Sequence, residues 1–178
     1  MIDADIPGIE PVAVVEAKAW LRVEHSAEDA LIAGLIRTAR TLCEAFTRQA
    51  LIARGVRETV AARGDWQRLG VTPVRSITAV TGLDASPAEG VETDIDANGD
   101  GWIRVRPSTS LGTGGVGQVR VTYSAGLAGD WNGVPEPLRQ GIIRLVAHLY
   151  ATRDGAGDAG PPAAVSALWR PWRRMRLG

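Results

Sequence analysis

The nearest thing to a ligand set in this sequence lies between Asp94 and Gly101. Asp94, Asp96, Asn98 and Gly99 match the opening of a calcium-binding EF-hand loop, and a shifted frame offers Asp96, Asn98, Asp100 and Gly101. Such a loop closes on a bidentate glutamate at its twelfth position, which falls on Val105 in one frame and on Pro107 in the other. The flanks read as strands, not helices. A structural turn is therefore the preferred reading and a weak adventitious cation site the lesser one. The glycine-dense run from Gly112 to Gly117 contains TGGVG, but no GK[ST] follows and the next segment reads as a strand, so it is expected to be a flexible loop rather than a phosphate cradle. His25 and His148 are isolated, without metal-ligand spacing. Ser26 and Ser124 lack a nucleophile-elbow context, and the scattered acids suggest no paired carboxylates. No catalytic residue, no metal site and no cofactor is expected.

The C-terminal segment most needs a role. Leu168, Trp169, Trp172 and Met175 are apolar, with Arg170, Arg173, Arg174 and Arg176 interleaved. It follows DGAGDAGPP (Asp154 to Pro162), a linker composition that cannot bury a core. The segment could fold back on the parent core, dock on a partner, or touch nucleic acid directly. Docking is preferred, because tryptophan and arginine are favoured interface anchors and the linker gives reach. The candidate docking residues are Leu168, Trp169, Arg170, Trp172, Arg173 and Arg174. Membrane docking is weak, since Pro171 interrupts a short segment.

These residues need elements to position them. From His25 to Ile52, Leu31, Leu35, Leu42 and Phe46 form one apolar stripe, with Ile32, Ile36, Ala39 and Cys43 beside it, which predicts a helix over about 27–48. Ser26 reads as its start signal. Shorter helical patterns cover about 12–23 and 136–153, and Pro137 suits the first turn of the latter. Between them, about 55–124 alternates as strands, with Pro73 to Leu83 rich in β-branched residues, QVRVTY at Gln118 to Tyr123, and a hairpin around Asn98-Gly99. Residues Met1 to Pro11 read as an arm. The expected fold is α+β: a mainly α-helical core with a long central helix in a bundle, a small antiparallel β insertion and extended terminal arms. One domain over 1–160 and a docking arm over 161–178 complete it.

Composition narrows the function classes. With 178 residues and 45% hydrophobic content, the chain can bury a core. Acids and bases balance at 20 each, so no global field draws in DNA or an anionic membrane. Lys18 is the only lysine, which reads first as codon bias. The single cysteine, Cys43, sits within the helix face, so no disulfide framework exists and a reducing compartment is expected. No run reaches membrane-span length and no leader pattern is present, which points to synthesis in the cytoplasm.

Taken in order, several weak pieces resemble the head-tail connector, or adaptor, family of long-tailed bacteriophages, also found in prophages and gene transfer agents. They are E-A-K-x-x-L-R-V at Glu16 to Val23, E-D-x-L-I at Glu28 to Ile32, the Pro73-Val74 strand, Tyr123-x-x-Gly126, Pro135-x-Pro137-Leu138 and the terminal W-R-P-W-R. The resemblance implies a non-enzymatic structural virion protein, built in the bacterial cytoplasm into the particle neck. It implies a ring of twelve copies under the portal, which extends the DNA channel and attaches the stopper or tail-terminator protein. DNA would pass without sequence reading, and no membrane is involved. The long Ala85 to Gly117 region departs from shorter members. The runner-up is a small nucleic-acid-binding regulator using the basic tail.

Overall fold

The computed structural model describes residues 1–5, 14–106, 117–152 and 161–174. Their elements run β1 (Ile2–Ala4), α1 (Val14–Leu21), α2 (Asp29–Thr47), β2 (Arg54–Ala61), β3 (Gln67–Arg68), β4 (Val74–Gly82), β5 (Val91–Ile95), β6 (Gly101–Val105), β7 (Gln118–Ala125), α3 (Glu136–Ala151) and α4 (Ala163–Trp169), then a 3-10 turn at Arg170–Trp172. They fall into two compact units. A β unit joins Met1–Pro7 to Ala53–Leu127, and a helical unit joins Gly8–Ile52 to Ala128–Gly178.

In the β unit, one antiparallel sheet has the order β1-β2-β7-β4 and a second has β3-β6-β5. Strand β7 shows why its sequence makes a strand: Val119, Val121, Tyr123 and Ala125 are buried while Gln118 and Arg120 are exposed, the period of two that puts alternate side chains on opposite faces. They pack with Val56, Val74 and Ile103. Strand β4 shifts register against β7 between Val74 and Ser76 and again between Ile77 and Ala79, where an extra residue kinks the strand. Buried Glu58 is satisfied inside this unit, accepting from the Tyr123 hydroxyl at 2.7 Å and the Gly70 N–H at 2.9 Å. The Val71 N–H donates to the Tyr123 oxygen at 3.2 Å. Burial, and donation to that carboxylate, push the phenol well above its ordinary pKa.

In the helical unit, α2 buries Ile32, Ile36, Ala39 and Cys43, while α3 buries Leu138, Ile142, Leu145 and Val146. Burial pushes the Cys43 thiol up, which keeps it protonated and inert. Lys18 of α1 pairs with Asp29 of α2 at 2.7 Å, and the Trp131 indole N–H donates to Glu16 at 3.3 Å.

The mainly α-helical reading, with a long central helix in a bundle and a small β insertion, is overturned. Two antiparallel sheets build a unit with its own core, and α2 is one of four helices among the described residues. Short strands carry few apolar residues each, so their weight emerges only on pairing across large sequence separations. The bond from Tyr123 to Glu58 spans 65 residues. Three smaller readings also change. Ser26 does not cap α2, whose N-cap is Glu28 without a side-chain cap bond. The α2 core face is the isoleucine stripe, and Leu31 on the neighbouring stripe stays exposed. Of the N-terminal arm, Ile2–Ala4 joins the sheet edge, Ile2 opposite Glu58, while residues 6–13 lie outside the described set.

Candidate partner-docking segment

Residues 161–174 form folded structure. Pro161 and Pro162 precede α4, and the Ser166 N–H donates to the Pro162 carbonyl at 3.0 Å to close its first turn. Val165 and Trp169 then fall on one side and are buried, at 2% and 0% exposure. The Trp169 ring lies 5.8 Å from the Phe46 ring, tilted by 57°, within the range in which aromatic pairs attract. Against α3 the fit depends on Gly141, where any Cβ would overlap the Trp169 indole nitrogen.

The 3-10 turn is held on the C-terminal end of α2. Gln49 donates its side-chain N–H to the Trp172 carbonyl at 2.6 Å, and the Arg174 N–H donates to the Thr47 carbonyl at 3.0 Å. The Arg173 guanidinium lies over the Phe46 ring at 5.7 Å. Arg48 caps α2 in the left-handed conformation at φ 57°. The turn therefore sits where the helix dipole is negative and favours cations.

The six candidate docking residues thus divide. Trp169 is a core residue of the helical unit, Leu168, Trp172 and Arg174 are half-buried, and Arg170 and Arg173 are exposed. Met175 and Arg176 lie outside the described residues, as do the glycine cluster from 112 to 116 and linker residues 154–160. Sequence reasoning missed that α4 is a helix and that Gly141 receives Trp169. A signal was present: a Pro-Pro start followed by Val165, Leu168 and Trp169 at helical spacing.

The acidic turn between β5 and β6 is committed to its own backbone and neighbours. Asp96 accepts from the Asn98 N–H at 2.8 Å, the Asp100 N–H at 3.0 Å and the Trp102 indole at 3.1 Å, while Asp100 pairs with Arg68 at 2.6 Å. Among the described residues no group of three or more His, Cys, Asp or Glu could hold a metal ion, and no helix is long and apolar enough to cross a membrane. A cleft of about 810 Å³ in the β unit is lined by Leu83, Asp84, Glu89, Arg106 and Val119 among others. Hydrogen bonds from Ser86 hold the Asp84 carboxyl below its usual range, where it caps the turn.

The fold itself is then the feature to compare with solved structures. No family model and no curated protein matches the chain. Solved structures do. One is the neck of an empty gene transfer agent (GTA) particle computed with C6 symmetry, at 28% identity and a TM-score of 0.77, covering 99% of this chain and 97% of that one. The virion of a native GTA particle matches at 29% identity and 0.75, with the same coverage of 99% and 97%. The neck of a native GTA particle computed with C12 symmetry matches at 28% and 0.73, again over 99% and 97%. The resemblance to the head-tail connector family, in its gene transfer agent form, is therefore shown over almost the whole chain.

Proposed function

We propose that this chain is a structural protein of the neck of a phage-like particle, a head-tail connector that acts by assembling and not by catalysis. It forms a ring of twelve copies under the portal, extends the DNA channel and offers the attachment site for stopper or tail-terminator components. The observation that supports this best is the near-complete match at 28% identity to chains in necks computed with C6 and C12 symmetry. Ring closure requires each copy to present two different faces, so surface chemistry rather than a pocket carries the function. The docking contribution of the C-terminal segment comes from Arg170, Trp172 and Arg173, because Trp169 is occupied in the core.

Mass photometry of the purified chain, alone and mixed with the portal protein encoded in its gene neighbourhood, tests the reading. A ring, or a stoichiometric complex with the portal, is the expected result. Truncation after Gly160 would remove Val165 and Trp169 from the core, so Trp172→Ala is the better probe of docking. A monomer that ignores the portal yet binds DNA with steep salt dependence would transfer the assignment to a nucleic-acid-binding regulator.

A further inference from the structure

Arg170 and Arg173 stand three residues apart across the 3-10 turn, and the Arg173 N–H donates to the Arg170 carbonyl at 3.2 Å. Arg170 opens the turn and Arg173 follows it in extended conformation, so the two arginines bracket one short exposed edge of the chain. Both residues are exposed, and neither is in an ion pair among the described residues. Phe46 beneath Arg173 restrains one of them, which lowers the entropy lost on binding.

We propose that the Arg170–Arg173 edge is a recognition site for a carboxylate-bearing segment of a protein partner. This rests on the neck reading and gives its docking segment a chemistry. Guanidinium forks match carboxylates in bidentate geometry, and the half-buried Trp172 beside them supplies the apolar contact typical of protein interfaces. A duplex would also supply anions, but DNA surfaces need a basic stripe that tracks many phosphates. Here Arg170 and Arg173 are two charges on one short turn, on a chain of net charge zero.

The test uses the full chain and two probes, a fluorescein-labelled octaglutamate peptide and a labelled 20-base-pair duplex, read by fluorescence anisotropy at several salt concentrations. Arg170→Gln with Arg173→Gln should weaken peptide binding about tenfold, and the double lysine variant should recover only part of it. Arg75→Gln with Arg120→Gln, on the exposed sheet face, should change nothing. Circular dichroism melts of each variant confirm that folding is intact. Equal peptide binding by the glutamine variant, an equal loss in the sheet variant, or tighter binding of the duplex than of the peptide would each overturn the proposal. Mass photometry of the wild-type chain with the portal separates the two ideas. A wild-type chain that does not assemble while the peptide effect holds removes the neck reading and leaves the edge. Normal assembly with no peptide effect removes the edge and leaves the neck reading.

Discussion

The two units of this chain are stabilised in opposite ways. The β unit is stitched by many strand pairs and a satisfied polar network at Glu58 and Tyr123, so its specificity is distributed over registers. The helical unit packs apolar faces of α2 and α3 and adds one shape-critical fit, where Trp169 enters a space that only glycine at 141 leaves open. Distributed hydrogen bonding tolerates local change, whereas a single knob in a single hole does not.

Trp169→Ala is the largest expected break, at about 3–5 kcal/mol from lost burial and the cavity left behind. Hydrogen exchange read by mass spectrometry should show lost protection in α2, α3 and α4 while β2 and β7 keep theirs. Equal loss in both units would mean that their stabilities are not separable. Gly141→Ala closes the hole instead of removing the knob, and overpacking should cost about 1–3 kcal/mol, read as a lower melting temperature. Tyr123→Phe in the β unit leaves Glu58 with the Gly70 N–H but without its hydroxyl donor, a loss of about 1–2 kcal/mol in urea melts. That loss should be smaller than for Trp169→Ala if polar support is shared.

The smallest effect is electrostatic. Hydrogen bonding from Arg104, with the charges of Arg104 and Arg106, holds the Glu92 carboxyl below its usual range. A depressed folded-state pKa stabilises above the ordinary glutamate value and is lost as pH falls through the folded one. Glu92→Gln should therefore cost a little stability at neutral pH and none once the carboxyl is protonated, which flattens the acid side of a stability-versus-pH curve; the effect is small because solvent screens the pair.

Local patterns in the sequence located most elements. The β5–β6 hairpin follows from Asn98-Gly99, β7 from strict alternation, and α2 from its apolar period. What stayed hidden was relational. Nothing within a window around Gly141 announces an indole from residue 169, and nothing around Glu58 announces the phenol of Tyr123. The α2 stripe shows the same limit: leucine and isoleucine faces are equally apolar in sequence, and only the packing partner chooses between them. For the docking segment, the residue types were legible but their division was not. Which tryptophan is buried depends on the neighbour it meets, and Trp169 meets Gly141.

The order in which the two units are completed follows from their chain paths. The β unit opens with β1 and closes by Leu127, whereas the helical unit has α1 and α2 made ahead of the remaining strands and α3 and α4 made after them. A nascent chain leaving the ribosome thus carries α2 with Phe46 uncovered until residue 169 emerges, while the intervening sheets can already pair. For the helical unit, folding is finished only once α4 has emerged, so a holdase that shields the α2 surface during translation would act on this unit and not on the other.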